Sequence, residues 1–197
     1  MRGALLATIA AAIALGVAFA PAHGASTTAR RGDDGAFVRG VALGLFATDP
    51  SWDYGPLVDE IRSRGATDVL VVVNAYQSDR FASDITLRPG RSPSQRTVAR
   101  TLAQVQEAGM RAALMPVVRL ERRGPRDWRG RISPADGLDA WFTAYRRFVL
   151  PLARLAEQQG AERFVVGSEL SSLEPYHARW RALISELRDA YSGLLTY

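Results

Sequence analysis

A glutamate lies just beyond a short apolar run, and this is the position in the chain best suited to chemistry. Residues Phe164 to Val166 are apolar, Gly167 and Ser168 break the run, and Glu169 comes next. In a parallel α/β barrel, the residues that end a strand face the mouth where such folds place their active sites. Glu169 is therefore a candidate general acid or base.

The amino-acid composition excludes several other kinds of catalysis. The 197 residues include no cysteine, and all 25 basic residues are arginine. No thiol nucleophile, disulfide or cysteine-ligated zinc can form, and no lysine can serve a phosphate-binding loop or a Schiff base. The two histidines are His23 and His177, and His23 lies in an expected export signal. We therefore expect no metal site and no organic cofactor.

The first residues have the pattern of an export signal. Arg2 supplies a positive charge, residues 4–19 form an apolar stretch without charge, and small residues follow. We expect residues 1–24 to be a signal peptide, residues 25–36 a linker, and the mature protein to be secreted or held in the periplasm or cell envelope. A retained membrane anchor is the alternative, although the stretch is shorter than the roughly 20 residues of a spanning helix. After signal cleavage we expect no membrane contact.

From residue 37 onwards, one pattern repeats four times: an apolar strand, a loop, an amphipathic helix and a glycine. The strands lack strict alternation, as is typical of parallel strands covered on both faces; they are predicted at Val38–Phe46, Asp68–Asn74, Arg111–Val118 and Arg163–Val166. The glycines are expected to end helices in a left-handed conformation; they are Gly65, Gly109, Gly160 and Gly193.

Two helix starts and two aromatic stripes are also visible. Each start combines a serine cap with a proline and a later acceptor; the two are Ser92-Pro93-Ser94-Gln95 and Ser133-Pro134-Ala135-Asp136. The stripes have helical spacing, and we expect them to be core and not ligand platforms. They are Trp141, Tyr145, Phe148, Leu152 and Leu155 in one helix, and Trp180, Leu183, Ile184, Leu187 and Tyr191 in the next.

Alternating strands and helices indicate βαβ units and a parallel sheet. A nucleotide-binding sheet would carry a glycine-rich turn after its first strand, whereas the turn here contains only Gly44. The lack of such a turn favours one α/β fold, the (β/α)8 TIM barrel, over a complete five-stranded nucleotide-binding protein. A TIM barrel needs roughly 250 residues, and Gly193 to Tyr197 is typical of a fifth strand. We therefore expect an N-terminal fragment with about the first four and a half βα units, in residues 37–197.

The loops after the second and third strands are long and contain side chains of the kinds that bind sugars; these are Tyr76, Gln77, Asp79, Arg119 and Trp128. The loop after the third strand also contains an arginine cluster, a pattern that can mark nucleic-acid binding. Its members are Arg119, Arg122, Arg123, Arg126, Arg129 and Arg131. Because acids and glycines interrupt the cluster, we interpret it as a solvated loop. We expect no nucleic-acid partner, although one or two arginines could face a ligand.

The order and spacing of three motifs resemble glycoside hydrolase family 113, a set of retaining (β/α)8 enzymes with β-mannanase as the described activity. The motifs lie within a similarity over residues 38–197; they are Asp127-Trp128-Arg129-Gly130-x-Ile132-x-Pro134, Trp141-Phe142-x-x-Tyr145 and Gly167-Ser168-Glu169-Leu170. The resemblance implies an acid/base glutamate after the fourth strand, which Glu169 matches. It also implies a nucleophilic glutamate after the seventh strand, beyond Tyr197.

The resemblance also suggests which residues contact the substrate. Many members of the wider clan have asparagine before the acid/base glutamate, and Ser168 replaces it here with a shorter reach and a single donor. Asn74 at the end of the second strand, Arg119 just after the third and Trp128 in the following loop are also expected to bind substrate, together with Ser168. A structural role is the alternative for Asn74, Arg119 and Trp128. Asp49, after the first strand, is a similar candidate.

The predicted function is therefore a retaining glycoside hydrolase acting on an oligosaccharide or polysaccharide with β-linkages, such as β-mannan. Residues 1–197 alone are expected to be inactive, because they lack the nucleophile. The alternative is a secreted carbohydrate-binding barrel without catalysis.

Glu174 is expected in the first turn of a helix, where the helix dipole favours acids. The oligomeric state is left open.

Overall fold

The structure, a computed structural model, describes residues 37–197, so the predicted signal peptide and linker lie outside the described residues. Five strands form one parallel sheet in sequential order; they are β1 (Gly40–Gly44), β2 (Asp68–Gln77), β3 (Arg111–Leu120), β4 (Arg163–Val165) and β5 (Leu194–Thr196). One helix connects each strand to the next; the helices are α1 (Gly55–Ser63), α2 (Gln95–Glu107), α3 (Leu138–Gln158) and α4 (His177–Ala190). A single 3₁₀ turn, Arg129–Arg131, lies between β3 and α3. Four βα units and a fifth strand confirm the predicted fold class, the first part of a (β/α)8 barrel.

Strand β2 shows how the sheet presents two different faces. Val69, Val71 and Val73 are buried in the core that the sheet shares with the helices. Because successive side chains point to opposite faces, Asn74 and Tyr76 lie on the inner face of the barrel wall. Asn74 pairs with Val117 of β3, and Tyr76 pairs with Arg119. Asn74, Tyr76 and Arg119 therefore share the inner face near the carboxyl ends of the strands.

The aromatic stripes of α3 and α4 form the core between these two helices and the sheet. Trp141 stacks on Tyr145 with 4.8 Å between ring centroids, and Phe142 meets Trp180 edge-on at 5.2 Å. All named stripe residues are buried, except Ile184, which is partly buried against the same core. The prediction that these stripes are core is confirmed.

Both predicted helix starts were wrong, since each helix begins later. Helix α2 is capped by Ser94, whose hydroxyl accepts from the Thr97 amide at 3.1 Å, and not by Ser92. Helix α3 begins after Gly137, and not after Ser133. The amides of Ser133 and Ala135 instead donate to the carbonyls of Arg80 and Phe81 in the preceding loop. Pairing between the two loops therefore replaces the local cap.

Three of the four predicted helix-ending glycines are confirmed. Gly65, Gly109 and Gly160 have φ of 80°, 76° and 65°, a conformation that favours glycine. Gly193 does not have it, because α4 ends with Tyr191 in extended conformation at φ −146°. A side chain at Gly193 would instead overlap the Tyr191 ring, so this glycine provides space.

An ion pair joins β2 and β3 at their amino ends, away from the mouth. Arg111 donates from Nε and Nη2 to the two carboxylate oxygens of Asp68, at 2.8 and 2.7 Å. Partial burial of Asp68 opposes its ionisation, but the hydrogen bonds from Arg111 and Thr67 outweigh it and lower its pKa. This end of the barrel contributes stability. Within residues 37–197, no helix is both long enough and apolar enough to cross a membrane.

Candidate active site

Glu169 stands in an unusual backbone conformation just after β4. Its φ is 56°, and within residues 37–197 it is the only non-glycine residue with positive φ. A left-handed conformation costs a residue with a side chain on the order of 1–2 kcal/mol, so neighbouring contacts must maintain it. More than half of the Glu169 side chain (56%) is exposed. The backbone thus presents this carboxyl to the solvent at the mouth of the barrel.

Hydrogen bonds fix the chain on both sides of Glu169. Before it, the Val166 carbonyl accepts from the Tyr145 hydroxyl of α3 at 2.8 Å, and burial raises the pKa of this phenol. After it, the Leu170 amide donates to the Tyr197 hydroxyl at 3.1 Å. These bonds attach the glutamate's loop to α3 and to the end of β5.

Tyr197 completes this attachment through Glu174. Its hydroxyl donates to the Glu174 carboxylate at 2.6 Å. Burial, and then this hydrogen bond, raise the pKa of Tyr197 to about 12, so the phenol stays neutral at ordinary pH. Glu174 was predicted in the first turn of a helix, and this was wrong, because α4 begins only at His177. Glu174 lies in the preceding turn, where it anchors Tyr197.

The 3₁₀ turn after β3 lies against the loop that carries Glu169. Arg129 forms an ion pair with Glu169, with 2.7 Å between Nη2 and Oε2. The Ser172 amide donates to the Gly130 carbonyl at 3.1 Å, and the Ser172 hydroxyl donates to the Ile132 carbonyl at 2.8 Å. The structure therefore brings the Asp-Trp-Arg-Gly motif and the glutamate motif together.

Trp128 begins the same turn and is partly exposed (43%). Its ring lies over Gly130, since a Cβ at Gly130 would overlap the ring atoms. Trp128 thus lies on the turn whose next residue, Arg129, contacts Glu169. Ser168 is partly exposed, and within residues 37–197 its hydroxyl makes no hydrogen bond.

Asn74 and Arg119 approach the mouth from β2 and β3. Asn74 is 1% exposed, and its Nδ2 has no hydrogen-bond partner within residues 37–197. Arg119 is exposed, with its guanidinium carbon 5.7 Å from the centroid of the Phe46 ring. Both residues share the inner face, but in the described part of the chain no hydrogen bond or ion pair links either to Glu169.

Other polar residues near the mouth organise the loops. Gln77 is fully buried; it accepts from the Trp141 indole at 2.9 Å and donates to the carbonyls of Asp79 and Ala82 at 2.7 and 2.9 Å. The Asp79 carboxylate accepts from Arg122 at 2.8 Å, and this hydrogen bond holds the pKa of Asp79 below its usual range. Gln77 thus belongs to the framework of the loop.

Asp49 lies on the wall of a cleft of about 380 Å³ between the loops after β1 and β2. Its carboxylate accepts from the Ser51 hydroxyl at 2.7 Å and the Ser51 amide at 2.8 Å. These bonds, the hydroxyl first, lower the pKa of Asp49. Within residues 37–197, no group of three or more histidine or acidic side chains is arranged to hold a metal ion.

Three residues at this site were not predicted from the sequence. Arg129 was interpreted only as a member of the arginine cluster, while Ser172 and Tyr197 were given no role. For Arg129 a signal was present, because it stands inside the Asp-Trp-Arg-Gly motif. Nothing in the spacing identified Glu169 as its partner.

Fold and site together define a parallel α/β barrel with its candidate site residues at the carboxyl ends of its strands. Within this class, comparison with known proteins identifies the family. The chain matches Glycoside Hydrolase Family 113 over residues 46–197, so it belongs to glycoside hydrolase family 113.

Two solved structures are similar to this chain in fold. The family 113 β-mannanase AaManA from Alicyclobacillus acidocaldarius, in complex with ManMIm, is 26% identical with a TM-score of 0.73; the match covers 82% of this chain and 54% of that chain. A family 113 β-1,4-mannanase complex is 23% identical with a TM-score of 0.74, over 82% of this chain and 55% of that one. The chain thus spans about half the length of these structures. No curated protein matches it.

Proposed function

We propose that the full-length protein is a retaining glycoside hydrolase that cleaves β-linked mannan, with Glu169 as its general acid and base. The observation that carries the proposal is the position of Glu169, four residues after the end of β4 and exposed at the barrel mouth in a left-handed conformation. Membership of family 113 supports the reaction class. The β-mannanase structures similar to this chain support mannan as the substrate.

The proposed reaction is a double displacement. Glu169 gives its proton to the leaving glycosidic oxygen while a second carboxylate attacks the anomeric carbon. Glu169 then takes a proton from water, which releases the sugar with retained configuration. The two carboxyl groups of a retaining enzyme lie roughly 5–5.5 Å apart. We place the second carboxylate outside residues 1–197 and expect these residues alone to be inactive.

Four further side chains are proposed to hold the sugar. Asn74 has a buried amide donor without a partner within residues 37–197, and such a donor costs about 1–3 kcal/mol. A sugar hydroxyl would satisfy it. Arg119 and the Ser168 hydroxyl, which has no partner within residues 37–197, offer further hydrogen bonds. The partly exposed Trp128 ring offers a face for stacking.

The proposed setting is extracytoplasmic, with residues 1–24 as the export signal, on the basis of their sequence pattern. The proposed partner is an oligosaccharide or polysaccharide, and nucleic acid is not among the proposed partners. Two arginines of the cluster bind acids within the protein, Arg122 with Asp79 and Arg129 with Glu169. These ion pairs within the protein support a structural interpretation of the cluster over nucleic-acid binding.

The test is hydrolysis of soluble β-mannan, β-glucan and xylan by the full-length protein and its Glu169→Gln variant. Because the variant has no proton to transfer, we expect its mannan hydrolysis to fall by about 10²–10⁴-fold. Glu162→Gln is the matched control, since Glu162 precedes the same strand at its opposite end and is 52% exposed. It should keep full activity. Absence of hydrolysis by the folded, unaltered protein would instead favour a non-catalytic carbohydrate-binding barrel.

A further inference from the structure

We infer that Arg129 is a positioning residue for Glu169, and that it holds the glutamate while it acts as a base in the second half of the reaction. The inference rests on the proposed function of Glu169. It assigns a task to a side chain that the double-displacement scheme does not itself require. Contacts around the 3₁₀ turn after β3 carry the argument.

The ion pair between the two side chains is close and is the principal restraint on the Glu169 carboxyl. The Arg129 Nη2 lies 2.7 Å from Oε2, and within residues 37–197 no other basic side chain lies within 4 Å of this carboxylate. Glu169 also makes no side-chain hydrogen bond in this part of the chain. Because a long exposed side chain otherwise samples several rotamers, Arg129 determines where the carboxyl points.

Arg129 is the more buried of the two partners. Its side chain is 26% exposed, against 56% for Glu169, and its Nε is buried without a hydrogen-bond partner within residues 37–197. The backbone of the turn is closed by a hydrogen bond from the Arg131 amide to the Trp128 carbonyl at 3.0 Å. The Trp128 ring covers the buried Gly130. Arg129 thus approaches Glu169 from a packed turn.

The turn is also attached to the loop that carries Glu169. Ser172, three residues after Glu169, donates to the carbonyls of both Gly130 and Ile132. Upstream of the turn, Asp127 forms an ion pair with Arg80 at 3.1 Å and accepts from the Gly124 amide at 3.0 Å. Arg129 and Glu169 therefore belong to one connected unit, and the distance between them is set by backbone contacts.

The chemistry indicates which step depends on the pair. An ion pair with arginine requires the carboxylate form of Glu169, which is the form that takes a proton from water in the second step. In that step the water oxygen attacks the anomeric carbon, the bond to the nucleophilic carboxylate breaks, and the water proton passes to Glu169. Misplacement of a catalytic group by 1 Å can cost about 100-fold in rate. Loss of Arg129 should therefore slow this step.

The experiment uses the full-length protein and a 2,4-dinitrophenyl β-mannoside, whose leaving group departs without acid catalysis. With this substrate, kcat/KM reports the first step and kcat reports the second. Azide can replace water in the second step, because it attacks the anomeric carbon with no proton to remove and yields a β-mannosyl azide. We compare Glu169→Ala, Arg129→Met and the control Arg131→Met. Arg131 lies in the same turn but is exposed and forms no ion pair within residues 37–197.

For Arg129→Met we expect kcat to fall by about 10- to 100-fold, kcat/KM to stay within about threefold, and azide to restore kcat. Arg131→Met should match the unaltered protein. If Arg129→Met and Arg131→Met have the same kcat and kcat/KM, the inference is overturned. The proposed function is then still supported, provided that Glu169→Ala loses kcat and azide restores it. Equal losses of kcat and kcat/KM in Arg129→Met, without rescue, would indicate a merely structural residue and also overturn it. A Glu169→Ala variant with unchanged kcat would refute the proposed function itself.

Discussion

The buried amide of Gln77 joins the loop after β2 to helix α3, and its replacement by leucine tests whether this residue is structural. Leucine has a similar volume and leaves little cavity, so the effect comes from hydrogen bonds. Three are lost: one accepted from the Trp141 indole and two donated to the carbonyls of Asp79 and Ala82. We expect the protein to fold but with much reduced stability.

The structure sets the magnitude of this loss. Trp141 is fully buried, so its indole N–H would be left without water or partner at a cost of about 1–3 kcal/mol. The residues that carry the two carbonyls, Asp79 and Ala82, are only partly buried. Water can reach these groups, and each lost bond contributes about 1 kcal/mol. The sum is about 3–5 kcal/mol, a large share of the roughly 5–15 kcal/mol that stabilises a folded protein.

The assay is urea unfolding of the full-length protein and of Gln77→Leu, Trp141→Phe and the double variant. Gln77→Leu leaves the Trp141 indole N–H without an acceptor, and Trp141→Phe removes this donor. The double variant should therefore lose about 1–2 kcal/mol less free energy of unfolding than the sum of the two single variants. Gln158→Leu is the matched control, because Gln158 is exposed at the end of α3, the helix that carries Trp141. It should change the free energy of unfolding by less than about 0.5 kcal/mol.

Two results would refute this reasoning. A loss below about 1 kcal/mol for Gln77→Leu would mean that the three hydrogen bonds do not support the loop. A fall in kcat or a rise in KM at an unchanged urea midpoint would mean that Gln77 acts at the substrate, as its place in the loop first suggested.

Two further predictions concern the turn at the mouth and the ion pair at the opposite end. In Gly130→Ala the new methyl group displaces the Trp128 ring. Because this ring is partly exposed and can shift outwards, stability should fall by less than about 1 kcal/mol. KM for mannan should rise, and tryptophan emission should shift. Unchanged emission would contradict the packing described. Asp68→Asn should lower stability by about 1 kcal/mol at pH 7. Since the folded-state pKa of Asp68 is lowered, its contribution is present above about pH 4, the pKa of the unfolded chain, and is lost as the pH falls through the folded-state value. Thermal melts of both proteins should therefore converge in acid, and a gap that stayed constant with pH would rule out this origin.

Local patterns along the chain were enough to predict the architecture of the described residues and the position of the candidate acid. Strand and helix patterns depend on spacing between neighbours along the chain, and so do the glycines at 65, 109 and 160 that end helices. The apolar run that stops before Glu169 is likewise a pattern of residues close together in the sequence. A carboxylate after β4 of a barrel was therefore predictable without coordinates.

The contacts that hold this glutamate could not be predicted in the same way, because they form only in the folded barrel. The start of α3 moved to Leu138 because amides before it pair with the loop after β2, a partner that no local pattern names. Gln77 became a buried connector because α3 packs its Trp141 indole against that loop. Among the arginines of the third loop, Arg129 reaches Glu169 because Ser172 attaches the 3₁₀ turn to the loop after β4. These contacts join residues far apart along the chain, and their energies depend on burial and distance, which exist only once the barrel wall has formed.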